Sequence, residues 1–259
     1  MTASRTKKTR NRLRKTRSLI VGLLIVQMAT VANAKKCEAI FKSQSVVSFE
    51  TAQSILDQAL KKRDFQTISR KHLRNLTLFT QSHPDRSHGF TTQEMYQARY
   101  RNETVIVKRA SSREMQMAYV MSELGVGVKF LGVADFCDCY IVSFVPRALL
   151  IKPQTLDRRT GAFLENGFRL EETAKEKIRR TLRSLARLGI VTQDPNFLVG
   201  IYGQVFLIDP GSFYKGSSAE ARSVARWNLK MYENQFARLR LLELEQVAKS
   251  AKPKNRTEP

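Results

Sequence analysis

Cysteine is scarce in this sequence, and its scarcity excludes one class of exported protein. The 259 residues contain three cysteines, Cys37, Cys137 and Cys139, which are too few and odd in number for a disulfide framework. Cys137 and Cys139 could share a metal ion, but residues two apart on a strand lie on one face and more often only pack together. A disulfide between Cys37 and one of the other two is the remaining alternative in an exported chain.

A long hydrophobic run is also missing near the N-terminus. The apolar run at residues 19–28 falls well short of the roughly 20 residues that a membrane-spanning helix needs. It follows a basic region that ends at Arg17, and Ala32 and Ala34 supply the small residues that signal peptidase reads. We predict an exported protein, periplasmic or secreted, whose signal peptide (residues 1–34) is cleaved after Ala34, leaving no stable transmembrane segment. An uncleaved anchor is the alternative.

Acidic residues are few in this sequence compared with basic residues. The chain has 23 Asp and Glu against 45 Lys and Arg, a formal net charge of +22, of which +14 lies beyond residue 34. This excess favours an anionic partner, such as a nucleotide, a phosphorylated substrate, nucleic acid or a membrane surface. A basic surface that only keeps the chain soluble is the alternative. Apolar residues make up 42% of the chain, which is enough for a packed core and excludes a disordered chain.

The first predicted elements say little about chemistry. Helical periodicity predicts a helix over residues 48–62, with Ser48 as its N-cap, and further helix up to Leu76. We therefore expect residues 35–88 to form a helical N-terminal extension that packs on the main domain.

Lys108 and Glu114 are the first candidate functional residues. Lys108 ends an apolar, β-branched strand, and Glu114 lies on the apolar face of a predicted helix over residues 111–124. A buried carboxylate needs a cationic partner, and Lys108 is the nearest candidate. Ser111 and Glu114 also have the spacing of a capping box, in which Glu114 would bond its own helix start. Glu123 is the alternative partner for the lysine.

The second half of the chain is mostly helical. A lobe boundary is expected near the prolines at 146 and 153, where the strand-forming composition ends. The remaining predicted elements are an antiparallel strand pair at residues 128–134 and 140–145, helices at 170–188 and 217–247, and a disordered basic tail at 249–259.

Two aspartates frame a predicted hairpin. Asp194 precedes an apolar run at residues 197–199, and Asp209 ends a second run at residues 204–208. Glycines punctuate the connection between the runs, as is typical of a hairpin. A hairpin with a carboxylate at each foot can aim both at one point, and hard divalent cations take oxygen ligands. The pattern therefore favours a metal–phosphate site.

In this order the motifs resemble the protein-kinase-like superfamily, closest to its small atypical members, the Rio, Kae1-associated and lipopolysaccharide-core kinases. The resemblance covers about residues 90–213. It implies an α+β, two-lobed fold with a small antiparallel β N-lobe (residues 89–150) and a mostly helical C-lobe (residues 151–248). The motifs that carry it are Val105-Ile106-Val107-Lys108, Glu114, Gly189-Ile190-Val191-Thr192-Gln193-Asp194, Asn196-Phe197-Leu198-Val199 and Ile208-Asp209-Pro210-Gly211.

The resemblance also implies roles. Lys108, held by Glu114, would bind the α- and β-phosphates of ATP. Asp209 and Asn196 would hold Mg²⁺ or Mn²⁺, and Asp194 would orient or deprotonate a hydroxyl acceptor, a protein or an envelope sugar. The implied partner is thus a nucleotide rather than nucleic acid.

The sequence departs from the family pattern at several points. No glycine-rich loop precedes Lys108, Pro210 replaces the usual phenylalanine, and Asp194 and Asn196 are two residues apart. This spacing is shorter than in the family, where more residues separate the aspartate from the asparagine. These departures favour two alternatives to an active kinase: a pseudokinase scaffold, or a basic exported protein that binds anionic polymers.

Overall fold

The computed structural model describes residues 48–80, 95–155 and 160–251. The predicted signal peptide, its cleavage site, Cys37 and residues 252–259 lie outside the described residues. None of the described helices is long and apolar enough to span a membrane.

Five α-helices and eleven strands make up the described chain. Two single-turn 3₁₀ segments, Arg70–His72 and Pro210–Ser212, lie between them. The helices are α1 (Phe49–Lys61), α2 (Ser112–Glu123), α3 (Thr160–Glu165), α4 (Glu172–Arg187) and α5 (Ser218–Ala251). The strands are β1 (Thr67–Ile68), β2 (Arg74–Thr80), β3 (Met95–Tyr100), β4 (Glu103–Arg109), β5 (Phe130–Ala134), β6 (Cys139–Ser143), β7 (Ala148–Ile151), β8 (Ile190–Val191), β9 (Asn196–Gly200), β10 (Val205–Ile208) and β11 (Tyr214–Lys215).

A six-stranded sheet, in the order β1-β5-β6-β4-β3-β2, forms the first half. All pairs are antiparallel except β1 with β5. The two edge strands, β1 and β2, are consecutive in the chain and are joined by the short Arg70–His72 turn. This connection requires the sheet to curl, and Ile68 and Leu73 are buried against Val105, Val107 and Ile141 of its inner face.

The second half is mostly helical, with β9 at the centre of a three-stranded sheet between β10 and β7. Apolar side chains of α4 and α5 bury this sheet, and Ile178, Leu182, Phe197 and Tyr232 are fully buried. The predicted α+β class, with a sheet of mainly antiparallel strands followed by helices, is confirmed, and the layout is consistent with a two-lobed kinase-like fold. The domain boundaries stay predictions.

The predicted helical extension is wrong in its second part. Residues 49–61 are helical, as expected, but β1 and β2 replace the helix predicted up to Leu76. Apolar and polar residues alternate from Leu76 to Leu78, and the backbone gains its partners from β3 and β5. Long-range strand pairing therefore decides the conformation of this segment.

Two smaller expectations also need correction. Cys137 and Cys139 are joined to each other in a disulfide, which excludes a bond from either to Cys37 in this state. Cys139 also packs in the sheet interior, as predicted. At the other end of the chain, α5 extends to Ala251, into the tail that was expected to be disordered from residue 249.

Candidate active site

Lys108 lies between two carboxylates. Its Nζ donates to Glu114 Oε1 at 2.6 Å and to Asp209 Oδ1 at 2.5 Å. The side chains of Lys108 and Glu114 are 11% and 5% exposed, whereas that of Asp209 is 43% exposed. The structure therefore brings together three of the predicted site residues, two of them buried and one that opens to solvent.

Strand and helix geometry explain how Lys108 meets Glu114. Lys108 is near the end of β4, between Met95 of β3 and Tyr140 of β6. Ser111 is the N-cap of α2, and its Oγ accepts the backbone N–H of Glu114 at 3.2 Å. The Ser111 half of the predicted capping box is thus formed, while the side chain of Glu114 binds Lys108. Glu123 is exposed at the other end of the helix and is not the partner.

Electrostatics hold Lys108 in its charged form. Burial by itself would lower the pKa of the Lys108 ammonium, but the negative charges of Asp209 and Glu114, with their hydrogen bonds, outweigh it and raise the pKa. The lysine is therefore a fixed positive charge at neutral pH. The cluster of Lys108, Glu114 and Asp209 contains one positive and two negative charges. Its excess of negative charge favours the binding of a further cation.

Tyr140 is a part of this cluster that the sequence did not reveal. Its hydroxyl donates to Glu114 Oε1 at 3.2 Å, and the residue is 4% exposed. Burial raises the pKa of Tyr140 well above its ordinary value, and the charges of Glu114 and Asp209 raise it further. Glu114 is thus fixed from two directions. The contact depends on the register of β4 with β6, which places Tyr140 opposite Lys108.

Asp209 is positioned by a sharp turn at the end of β10. Its backbone is left-handed, with φ 53°, and the 3₁₀ turn Pro210–Ser212 follows directly. Gly211 lies against Glu114, since a Cβ at this position would come within 2.9 Å of Glu114 Oε2. A Cβ here would press on the Glu114 carboxylate, so the glycine leaves space for that side chain beside Lys108.

The turn after Asp209 is also fixed to α2. The guanidinium of Arg113 donates from Nε and Nη2 to the carbonyl of Phe213 at 3.2 and 3.1 Å, and it stacks on the ring of Tyr214. Arg113 lies next to Glu114, so one turn of the helix makes both contacts. No pattern in the sequence singled out this arginine.

Asp194 lies on a loop that is held from two sides. Asn228 of α5 donates to the carbonyl of Thr192 at 2.7 Å, and the Tyr232 hydroxyl donates to the carbonyl of Pro195. The Ser212 hydroxyl, just after Asp209, donates to the carbonyl of Gln193 at 2.5 Å. Asp194 itself is exposed and has φ 47°. Its loop is therefore tied to the Asp209 turn while its carboxylate faces solvent.

Asn196 lies on the strand next to Asp209. It is the first residue of β9 and pairs with Ile208, which immediately precedes Asp209. Asp194 has a left-handed backbone, so the segment is not extended and strand alternation does not determine the direction of Asp194 relative to Asn196. Asn196 is 8% exposed, and its Oδ1 has no hydrogen-bond partner among the described residues.

The oxygen atoms near Lys108 offer few ligands for a magnesium ion. No group of three or more His, Cys, Asp or Glu side chains that could hold a metal is present in the described ranges. Asp209 offers a carboxylate and Asn196 a buried, unpartnered amide oxygen, and Mg²⁺ usually binds through one or two protein oxygens plus substrate phosphates. The chemistry of these two groups therefore suits an ion that arrives with a phosphate ligand rather than one held by protein alone.

Lys108 and Asp209 line a cleft of about 680 Å³. That volume is within the usual range for a small-molecule site. Ile106 and Val142 of the six-stranded sheet line it, as do Leu198 and Leu207 of the three-stranded sheet. The cleft is thus mostly apolar, with a charged group formed by a buried lysine and a partly exposed aspartate. Asp194 and Asn196 are not among its lining residues.

Comparison with known proteins adds little. No family model matches the sequence, and no curated protein matches it. Among solved structures, the choline kinase LicA from Streptococcus pneumoniae is similar over 60% of this chain and 79% of that chain, with 15% identity and a TM-score of 0.29. A likeness at this level identifies no activity and no site residue.

Proposed function

We propose that this protein is a kinase-like phosphotransferase that takes the terminal phosphoryl group of ATP and transfers it to a hydroxyl group. The observation that carries the proposal is the position of Lys108, bonded to both Glu114 and Asp209 on the wall of a mostly apolar cleft. The planar adenine base of ATP suits the apolar walls of the cleft. A buried ammonium next to a carboxylate suits the phosphates of ATP with a divalent cation.

Each residue has a role that follows from its surroundings. Lys108, kept charged by its neighbours, holds a phosphate oxygen, and Glu114 with Tyr140 prevents the ammonium from moving away. Asp209 and Asn196 would hold magnesium through their side-chain oxygens, and the ion would neutralise the charge of the phosphates. Phosphoryl transfer requires mainly positioning and charge neutralisation; the cluster positions Lys108, and Lys108 together with a bound cation would provide the neutralisation.

Asp194 is the proposed residue for the acceptor. Its carboxylate is exposed, and its loop is held by Asn228, Tyr232 and Ser212. A carboxylate on such a loop can accept a hydrogen bond from an incoming hydroxyl and orient it toward the phosphate. We also propose that the chain is exported and that the acceptor is a protein or an envelope sugar.

The test uses the chain from residue 35 with labelled ATP and Mg²⁺ or Mn²⁺. Release or transfer of the terminal phosphate is measured for the unaltered chain, Asp194→Ala and Asp209→Ala. We expect turnover in the unaltered chain, loss of transfer in both variants, and loss of nucleotide binding only in Asp209→Ala. Absence of both binding and turnover in the unaltered chain would remove the proposal.

A pseudokinase scaffold is the second candidate. The close spacing of Asp194 and Asn196 favours it, as does the expected scarcity of ATP outside the cytoplasm. In that case nucleotide binds and Asp209→Ala abolishes binding, but no phosphate is transferred. Robust transfer that Asp194→Ala abolishes would exclude the scaffold.

A further inference from the structure

A second cleft of about 580 Å³ lies where the two edges of the curled sheet approach each other. Residues 66–68 of the β1 edge line one part of it, and residues 71, 72, 74, 75 and 99–102 line the rest. It shares no lining residue with the cleft that contains Lys108. By the register of β2 with β3, it lies at the Arg74–Arg99 end of this strand pair, away from Thr80 and Met95.

Positive charge dominates this cleft. None of its described lining residues is acidic. Five are basic: Lys71, His72, Arg74, Arg99 and Arg101. Within the described part of the chain, none of these five side chains forms a salt bridge. Asp135 is a nearby acid whose pKa is lowered by hydrogen bonds and, to a smaller extent, by His72. It accepts the backbone N–H of Arg70 and does not line the cleft. We call this group the basic cleft.

Two of the arginines face each other across neighbouring strands. Arg74 of β2 is the direct partner of Arg99 of β3. Like charges directly opposite each other in an antiparallel pair destabilise the sheet. The guanidinium of Arg99 donates to the backbone carbonyl of Asn102, a neutral group that does not neutralise its charge. The pair therefore keeps a repulsion that a bound anion would relieve.

Arg101 is an unusual residue for its backbone conformation. Arg101 and Asn102 connect β3 to β4 with φ values of 48° and 67°. A two-residue turn with both φ values positive strongly prefers Asn, Asp or Gly, so arginine is a poor choice for the turn. Its guanidinium lies 5.1 Å from the centre of the Tyr100 ring, which also lines the basic cleft. The positive charge of its side chain, rather than the backbone conformation of the turn, explains why this residue is an arginine.

From these observations we infer that the basic cleft is a binding site for phosphate groups of an anionic ligand, large enough for a diphosphate or a longer phosphate chain. Arginine is the side chain best suited to this ligand because its planar fork of donors matches phosphate oxygens. The inference does not depend on the proposed phosphotransfer, because the two clefts share no residue.

The test measures binding of inorganic pyrophosphate to the full chain by calorimetry. Arg101→Asn removes one charge and installs a residue that the turn prefers, so the fold is expected to be intact. Arg226→Gln, at an exposed site on α5, is the matched control. We expect Arg101→Asn and Arg74→Gln each to weaken binding at least about tenfold, because hydrogen bonds to charged groups are the strong ones. Arg226→Gln should leave it unchanged, whereas Lys108→Met reports any pyrophosphate that binds in the other cleft.

A second arm identifies the source of the phosphate. Vesicles that contain phosphatidylglycerol are compared with vesicles of phosphatidylcholine alone, for the same variants. Loss of anionic-vesicle binding in Arg101→Asn, without pyrophosphate binding to any variant, would assign the site to lipid phosphates. If Arg101→Asn and Arg74→Gln behave like Arg226→Gln in both arms, the inference is overturned. If only Lys108→Met loses pyrophosphate, the anion binds in the other cleft and the inference is equally overturned.

Discussion

The cleft that contains Lys108 and the basic cleft differ in how their positive charge is balanced. In the first, one buried cation, Lys108, is held by two carboxylates and a network that also includes Tyr140. In the second, five basic side chains line a cleft without a described acid, and two of them face each other directly. The first arrangement fixes the position of a charge, whereas the second leaves charge to be neutralised by a ligand.

The difference has an energetic consequence. Removal of a cation from a compensated, buried group leaves uncompensated negative charge, which is costly. Removal of a cation from a repulsive, exposed group relieves strain. The same type of substitution should therefore change stability in opposite directions in the two clefts.

The largest effect is expected for Lys108→Met. The substitution leaves Glu114 and Asp209 near each other without their shared cation, so unfolding in urea should require about 3 kcal/mol less free energy. Because Asp209 is partly exposed, the loss should be at the low end of the range for buried ion pairs. Lys230→Met, on the exposed face of α5, is the control and should change stability little. Equal stability of the two variants would show that the cluster is not a coupled unit.

A smaller effect is expected for Glu114→Gln. The amide keeps the shape but loses the charge-assisted bond to Lys108, and we expect a loss of about 1–2 kcal/mol in the urea midpoint analysis. Glu123→Gln is the control, because it is the same substitution near the other end of α2. It should leave the free energy of unfolding unchanged. If the two variants lost the same amount, the assignment of Glu114 as the partner would be wrong.

The third prediction concerns alkaline pH. The pKa of Tyr140 is raised in the folded state, so the unfolded chain loses this proton first, at a pH near its ordinary value of 10.0. Folding stability from this group is complete below that pH and falls as the pH rises above it. Tyr140→Phe removes this dependence but also removes the bond to Glu114, a cost of about 1 kcal/mol at pH 8. The difference in free energy of unfolding between the unaltered chain and Tyr140→Phe should therefore become smaller above about pH 10. A constant difference from about pH 8 to 11 would show that the pKa of Tyr140 is not raised in the folded state.

The smallest effect has the opposite sign. Arg99→Gln removes one member of the cross-strand arginine pair, and in low salt without phosphate we expect a gain of a few tenths of a kcal/mol in thermal unfolding. Pyrophosphate should raise the melting temperature of the unaltered chain and have less effect on the variant. A loss of stability in the variant under the same conditions would show that this pair is not repulsive.

The sequence was most informative where contacts are local. Lys108 and Glu114 are six residues apart, and helix periodicity made Lys108 the nearest candidate partner for Glu114, with a capping box from Ser111 as the alternative. Asp209 lies 101 residues from Lys108, and its place was expected only through the order of motifs, since no local pattern reports such a contact.

Features that depend on sheet register or curl could not be read from the chain. Tyr140 reaches Glu114 because β6 pairs with β4, and β1 and β2 form because distant strands supply their hydrogen bonds. The basic cleft arises because the sheet brings residues 66–75 close to residues 99–102. In the sequence these arginines only contributed to a net charge.

The most direct test of the account is a structure of the chain with a non-hydrolysable ATP analogue and Mg²⁺. We predict that the base lies between Ile106 and Leu207, with a phosphate oxygen bound by Lys108 and the ion by Asp209. A structure in which Lys108 still bridges Glu114 and Asp209, with the analogue's phosphates found only in the basic cleft, would contradict the proposed active site.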